Sequence, residues 1–176
     1  MDNMVRAGNW FFDTFNAWRV LDTVKLPDIE RAMEAFVPGG HMFGAEFPEH
    51  FNPLKADIEL KNDSPEIRGL CGKEPGDYTT ATYYEHLISY RTGETKGRII
   101  SMKGLVTSVK AAQRKGMKPA GTGYMFSTIV SYVDSFDGRI THKFDLFAGP
   151  GATVINGATP FAAMASNLAI GSGTVL

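Results

Sequence analysis

Histidine, cysteine and glycine-rich turns are the places where this chain of 176 residues could do chemistry. The four histidines, His41, His50, His86 and His142, stand far apart, and no pair has the H-x-x-x-H spacing that puts two zinc ligands on one helix face. They read as ordinary polar contacts. Cys71 is the only cysteine, so a disulfide within the chain and a cysteine-based zinc site are both ruled out, which fits a reducing compartment. It reads as a small buried hydrophobe. The stretch "FAGPGATVING" is rich in glycine but has no G-K-[ST] to hold phosphates and Mg²⁺, and G-x-G-x-x-G is absent. "GTGYMFS" lacks the serine of a G-x-S-x-G elbow. A dispersed Ser/His/Asp triad is recognised by geometry and not by order, but no residues nominate themselves for one. The expectation is a non-enzyme that needs no cofactor and no metal.

Charge carries more information than any motif. The formal net charge is -1, yet residues 1–94 hold 9 basic and 16 acidic residues, and residues 95–133 hold 7 basic residues and no acid. The densest part is "SVKAAQRKGMKPAGTG", with Lys110, Arg114, Lys115 and Lys118. Three readings compete. Strands from the two blocks could interleave so that charges cancel across the sheet. The basic block could bind nucleic acid, or it could be one half of a pair of self-complementary surfaces.

The elements that must position these residues are mostly strands. With 43% hydrophobic and 21% charged residues, the composition is that of a globular domain, long enough for one core. "PLKADIELK" alternates, with Leu54, Ala56, Ile58 and Leu60 on one face, the pattern of a half-buried strand. "TTATYYEHLISYR" (79–91), the turn "TGETKG" and "RIISMKGLVTSV" (98–109) predict a long hairpin. "YMFSTIVSYVD" (124–134), an Asp-Gly turn and "RITHKFDLF" predict a second. A short helix is expected over 64–71, with Ser64 as cap, Pro65 at its first position, Glu66 in the first turn and Gly72 closing it. A small C-terminal helix is expected in "TPFAAMASNLAIG" (159–171), capped by Thr159 and stopped by Gly171.

Two segments remain. Residues 29–52 are long for a connection and carry Phe36, Met42, Phe43, Phe47 and Phe51 around the reversal at Pro38, Gly39 and Gly40. They form either a loop folded over their own core or an arm that buries its aromatics in another subunit. Residues 146–176 contain no Asp, Glu, Lys, Arg or His, and Gly, Pro and Asn interrupt any run long enough to span a membrane. A mostly apolar tail must pack on protein, its own or a neighbour's. The N-terminus has acid early and no uninterrupted apolar run before Asp13, so it does not read as a signal peptide.

"VKLPDIERAMEAFVPGG", the alternating strand, "SPEIRGLCG", "GRIISMKGLVTSVKAAQRKGMKPAGTGYMFSTIVSYVD" and "ING" with its apolar tail resemble the major tail tube proteins of contractile-tailed bacteriophages. The resemblance is most specific at Gly121 to Asp134, at Leu26-Pro27 and at Gly39-Gly40. "HMFGAEFPEHF" is more elaborate than the family's usual polar arm. The resemblance implies a mainly β fold: two packed antiparallel sheets, a sandwich or half-open barrel, with one short flanking helix, a long protruding arm and a small C-terminal helix. Residues 1–149 would be the tail-tube β domain, with arm 29–52, helix 64–71 and basic loop 110–123. Residues 150–176 would be a neutral extension on its own or a neighbouring subunit.

The resemblance also implies the assembly. Six copies form a ring, and rings stack into a tube inside a contractile sheath, with tape measure, baseplate and tail terminator proteins as further partners. Six sheets of four strands at ~4.8 Å spacing and ~40° tilt close at roughly 48 Å between backbones, which leaves a channel for duplex DNA. The stacking interface is expected to use Phe36, Gly39, Gly40, His41, Met42, Phe43 and Phe47 of the arm and Lys110, Arg114, Lys115 and Lys118 of the loop. Glu85 and Glu94 are candidate lumen charges. DNA would pass without sequence-specific binding, because a conduit gripping every phosphate would stall. The expected location is the virion tail, with assembly in the host cytoplasm and no membrane contact. The alternative is a nucleic-acid-binding β-barrel that uses the basic segment 96–118.

Overall fold

A computed structural model of the chain describes residues 3–62, 64–113, 115–118 and 120–171. Eleven strands account for most of it: β1 (Met4–Phe12), β2 (Phe15–Asn16), β3 (Leu21–Lys25), β4 (Arg31–Phe36), β5 (Ala45–Phe51), β6 (Ala56–Leu60), β7 (Thr79–Ile88), β8 (Thr95–Ala111), β9 (Thr122–Phe136), β10 (Arg139–Asp145) and β11 (Val154–Ile155). Two short helices, α1 (Pro65–Gly69) and α2 (Ala162–Asn167), complete the fold. The chain is mainly β, with antiparallel sheets and no closed barrel.

β8 and β9, 17 and 15 residues long, organise the rest because each belongs to two layers. The second half of β9 pairs with β10 on one side and β8 on the other, and β8 continues the sheet to β7, β1 and β2. The first half of β9 pairs instead with β6, which carries β3. Register shifts between Lys103 and Leu105 and between Val106 and Ser108 mark the change of layer. Bulges bend a strand and raise its twist, and here they turn one sheet back over itself. A Cβ on Gly104 would lie 2.8 Å from the Ser127 carbonyl oxygen, so the close approach at the bend admits only glycine. Thr128, just beyond, takes the left-handed φ of 52°.

The core lies between the two layers. Trp10 and Phe12 of β1, Ile58 and Leu60 of β6, Ile100 and Met102 of β8 and Tyr124 and Phe126 of β9 are fully buried together. Phe12 meets Tyr124 and Phe126 at ring distances of 6.0 and 6.3 Å, although β1 lies three strands away from β9 in the sheet. That contact across the layers makes the sheet a half-open barrel. Burying each large side chain is worth roughly 2–3 kcal/mol. Ile67 and Leu70, on α1 and the 3-10 turn that follows it, add to the same core.

The longest strand with no counterpart in the sequence reading is β1. Its inward residues Trp10 and Phe12 alternate with Asn9 and Phe11, and the aromatic Phe11 on the outer face hides the period. The two predicted hairpins form, with Asp137 and Gly138 both at positive φ in the turn between β9 and β10, as a two-residue hairpin turn requires. Cap chemistry differs from expectation. Ser64 makes no side-chain bond to the backbone of α1, because its hydroxyl donates to the Glu66 carboxylate. α2 starts after Phe161, not at Thr159, and ends at Asn167, ahead of Gly171. Cys71 is exposed, which corrects the buried reading: the 3-10 turn aims Leu70 at the core and leaves its neighbour in water.

Candidate assembly interface

β4 and β5 form a hairpin with its own two-stranded sheet, apart from the nine-stranded one. Its register pairs Phe36 with Ala45 and Glu34 with Phe47, and the Phe36 and Phe47 rings meet edge to face at 6.2 Å. At the tip the His41 amide donates to the Pro38 carbonyl at 3.0 Å, and Gly40 holds a φ of 94°. This is a turn that glycine makes without strain. Met42 is 96% exposed and Phe43 85% exposed, and Gly39, His41, Phe36 and Phe47 are exposed with them. An isolated two-stranded hairpin is marginal in water, and this one carries large apolar side chains with nothing over them. Its root is anchored: Phe51 packs against Phe161 at 6.2 Å, and the Arg31 guanidinium sits over the Phe51 ring.

The basic loop joins β8 to β9. Lys110, Lys115 and Lys118 are exposed and form no ion pair among the described residues; Arg114 lies outside the described residues. Register places this loop and the arm at opposite ends of one layer. Leu60 pairs with Thr122, beside the loop, while Ala56, where the chain returns from the arm, pairs with Phe126 at the bend. The arm region from 28 to 51 holds Asp28, Glu30, Glu34, Glu46 and Glu49 against Arg31. Lys25, just before it, neutralises Asp28 at 2.9 Å, and the Asp28 carboxylate raises the Lys25 pKa by accepting its hydrogen bond. The ends of the layer therefore carry opposite charge.

The interleaved reading of the charge blocks holds at one place inside the fold. Arg98 on β8 makes a bidentate pair with Asp134 on β9, at 2.9 and 2.7 Å, and reaches Glu85 on β7 at 3.4 Å. His142 on β10 brings Nδ1 to 3.9 Å from Asp134. The hydrogen bond to Asp134 raises the Arg98 pKa further above its ordinary value. Burial, then the Asp134 charge, pushes the Tyr132 phenol up to about 12, and burial followed by Glu85 raises Tyr83. Glu85 is only 9% exposed and faces inward, so it is not the free lumen charge expected of it: inward alternation along β7 carries it to Arg98. Glu94 is exposed, in the turn between β7 and β8.

A third feature is the uncharged tail, expected to carry a small helix and to pack on its own or a neighbouring subunit. Residues 146–171 fold back on their own subunit: β11 pairs with β10, and α2 packs on the 3-10 turn Pro150–Ala152. Leu146, Phe147, Met164, Leu168 and Ile170 are left exposed. Among the described residues these surfaces are distinguished by exposed apolar area and segregated charge. Such surfaces belong to a subunit of an assembly.

A family profile described as phage tail tube protein FII matches residues 2–168. The chain belongs to this family. The tail tube protein is structural and not an enzyme, and its place is the tail of a phage-like particle. The fold agrees. A chain of the sheath-tube complex of an extracellular contractile injection system, PVC, in the extended state is similar with a TM-score of 0.54 and 9% identity, over 73% of this chain and 88% of that one. A chain of the same system's sheath/tube terminator is similar with a TM-score of 0.52 and 9% identity, over 73% and 93%. At that identity the likeness is one of fold. No curated protein matches the sequence of this tail tube protein.

Proposed function

We propose that this tail tube protein closes into hexameric rings that stack head to tail into the inner tube of a contractile tail, the conduit for DNA ejection. The observation that carries this reading is the placement of an exposed, acidic, aromatic arm and an exposed basic loop at opposite ends of one layer. Ring closure is supported by open edges. Among the described residues, β1 is paired by β2 only at Phe11 and Phe12, and β8 beyond Gly104 has no strand partner on the side where β7 ends. Unpaired edges invite pairing with another copy, and a cyclic arrangement removes them.

In the stacked tube, Phe36, Gly39, Gly40, His41, Met42, Phe43 and Phe47 of one ring meet Lys110, Arg114, Lys115 and Lys118 of the next. The arm carboxylates give that contact its polarity, because like ends repel. The sheath surrounds the tube, the terminator closes one end and the baseplate receives the other, while the tape measure protein sets the length. Assembly takes place in the host cytoplasm, and DNA crosses the lumen without sequence-specific contacts. Negative-stain electron microscopy of the purified protein tests this. Rings or tubes of uniform bore are expected, with stacking but not ring closure lost in Lys115→Glu/Lys118→Glu. Featureless monomers at high concentration overturn the reading.

A further inference from the structure

The exposed apolar ridge of residues 146–170 has no role in the interface described above. Leu146 donates its amide to the Val130 carbonyl, which fixes the start of the ridge at the bend of β9. A Cβ on Gly149 would lie 2.9 Å from Ile170, and one on Gly151 would lie 3.0 Å from Ala165. Residues 165–170 are therefore folded against the segment that carries Phe147. Phe147 is 74% exposed and Leu168 64% exposed, beside Leu146, Met164 and Ile170. The ridge carries no ionisable group. The Phe51–Phe161 contact puts it beside the root of the arm, which lies at the end of the β6–β9 layer opposite the basic loop.

We infer that this ridge is a socket for Met117 at the tip of the basic loop of a second copy, in the adjacent ring. Met117 is fully exposed, in a segment where Gly116 has a φ of 62° and Lys115 and Lys118 flank it. Seating Met117 on an uncharged surface leaves the two lysines at its margin. The arm that adjoins this margin through the Phe51–Phe161 contact holds Asp28, Glu30, Glu34, Glu46 and Glu49 against Arg31, whose guanidinium lies over the Phe51 ring. An apolar centre with charges at the rim is the arrangement that excludes water from the centre and fixes orientation by charge. Because the two surfaces are different patches at opposite ends of one chain, the contact is heterologous and propagates as a stack. Methionine suits such a seat, since its flexible thioether adapts to an irregular apolar surface.

This inference rests on the tube reading, and the test separates the two. Met117→Cys and Leu168→Cys are combined in a Cys71→Ser parent, all at exposed positions, and assembled protein is oxidised and run without reductant. A disulfide forms only where Cβ atoms come within about 4.5 Å. A ladder of three or more linked chains is expected from the pair, dimers at most from either single variant, and loss of maleimide labelling at Leu168→Cys once tubes form. Tubes that form without the ladder overturn the socket and leave the tube reading standing. So does a ladder from Phe43→Cys/Leu168→Cys in its place, or a Leu168→Cys that stays reactive in tubes, which assigns the ridge to another partner such as the sheath. Absence of rings and tubes from the Cys71→Ser parent overturns both.

Discussion

Arg98 neutralises two carboxylates that the sandwich would otherwise bury alone, since the Asp134 and Glu85 side chains are 3% and 8% exposed. Removing one member of a buried ionic group costs about 3–5 kcal/mol, because the partners keep their desolvation penalty. Arg98→Met is therefore expected to lower stability by about that much in urea denaturation, and Arg98→Met/Asp134→Asn to recover part of it. The phenol of Tyr132 belongs to the same cluster and predicts an alkaline limit. Its pKa is raised to about 12 from 10, so the native state keeps a proton that the unfolded chain has lost. Stability from this group is complete below pH 10 and is lost as pH rises from 10 to about 12. Denaturation midpoints measured from pH 9 to pH 12 should fall across that window, with a shallower fall for Tyr132→Phe.

The bend of β8 and β9 is where an element decides what the residues do. Gly104→Ala forces a Cβ against the Ser127 carbonyl oxygen and to 3.1 Å from Phe126. Overpacking at a site closed by backbone costs about 1–3 kcal/mol, and a lowered urea midpoint with an unchanged slope is expected. Thr128 makes the opposite case. Its left-handed φ costs a β-branched residue about 1–2 kcal/mol, which asparagine largely avoids. Thr128→Asn should raise thermal stability, measured by calorimetry. Both changes act on the passage of the chain between layers, so their size reports how much of the fold depends on that crossing.

At the scale of the whole molecule, assembly should separate from folding. Met42 and Phe43 touch little of their own subunit, so Met42→Asp/Phe43→Asp should leave the melting temperature within a degree or so of the parent, as expected for surface changes. It should abolish high-molecular-weight species in analytical ultracentrifugation. Salt should divide the two kinds of contact. In 1 M NaCl the screening length falls to about 3 Å, so the proposed lysine-to-carboxylate contacts between rings should weaken, while the proposed rings, closed by strand pairing and apolar burial, should persist. Shorter tubes with intact rings in electron micrographs are the expected outcome.

How much was legible varies with the range of the interaction responsible. The alternation of Ala56, Ile58 and Leu60, the Thr- and Tyr-rich run of β7 and the Asp137-Gly138 turn are local, and period and turn chemistry were enough to read them. The segregation of charge and the uncharged tail were legible in the same way, as was the resemblance to tail tube proteins carried by the turns and strands. What lay beyond reach came from contacts distant in sequence. Whether Glu85 faces water or Arg98 depends on which strands flank β7. The strand role of Met4–Phe12 depends on β7 and on a core assembled from β6 and β9. The arm was legible as sticky, but only its separate two-stranded sheet turns it outward. The sequence by itself determined where the alternating strands and the two hairpins lie, where charge accumulates and which segments are sticky or uncharged. The tertiary structure alone decided which face each charge takes and which ends lie opposite, because a strand's neighbours are chosen by long-range pairing and a one-residue shift of register turns every side chain to the other face.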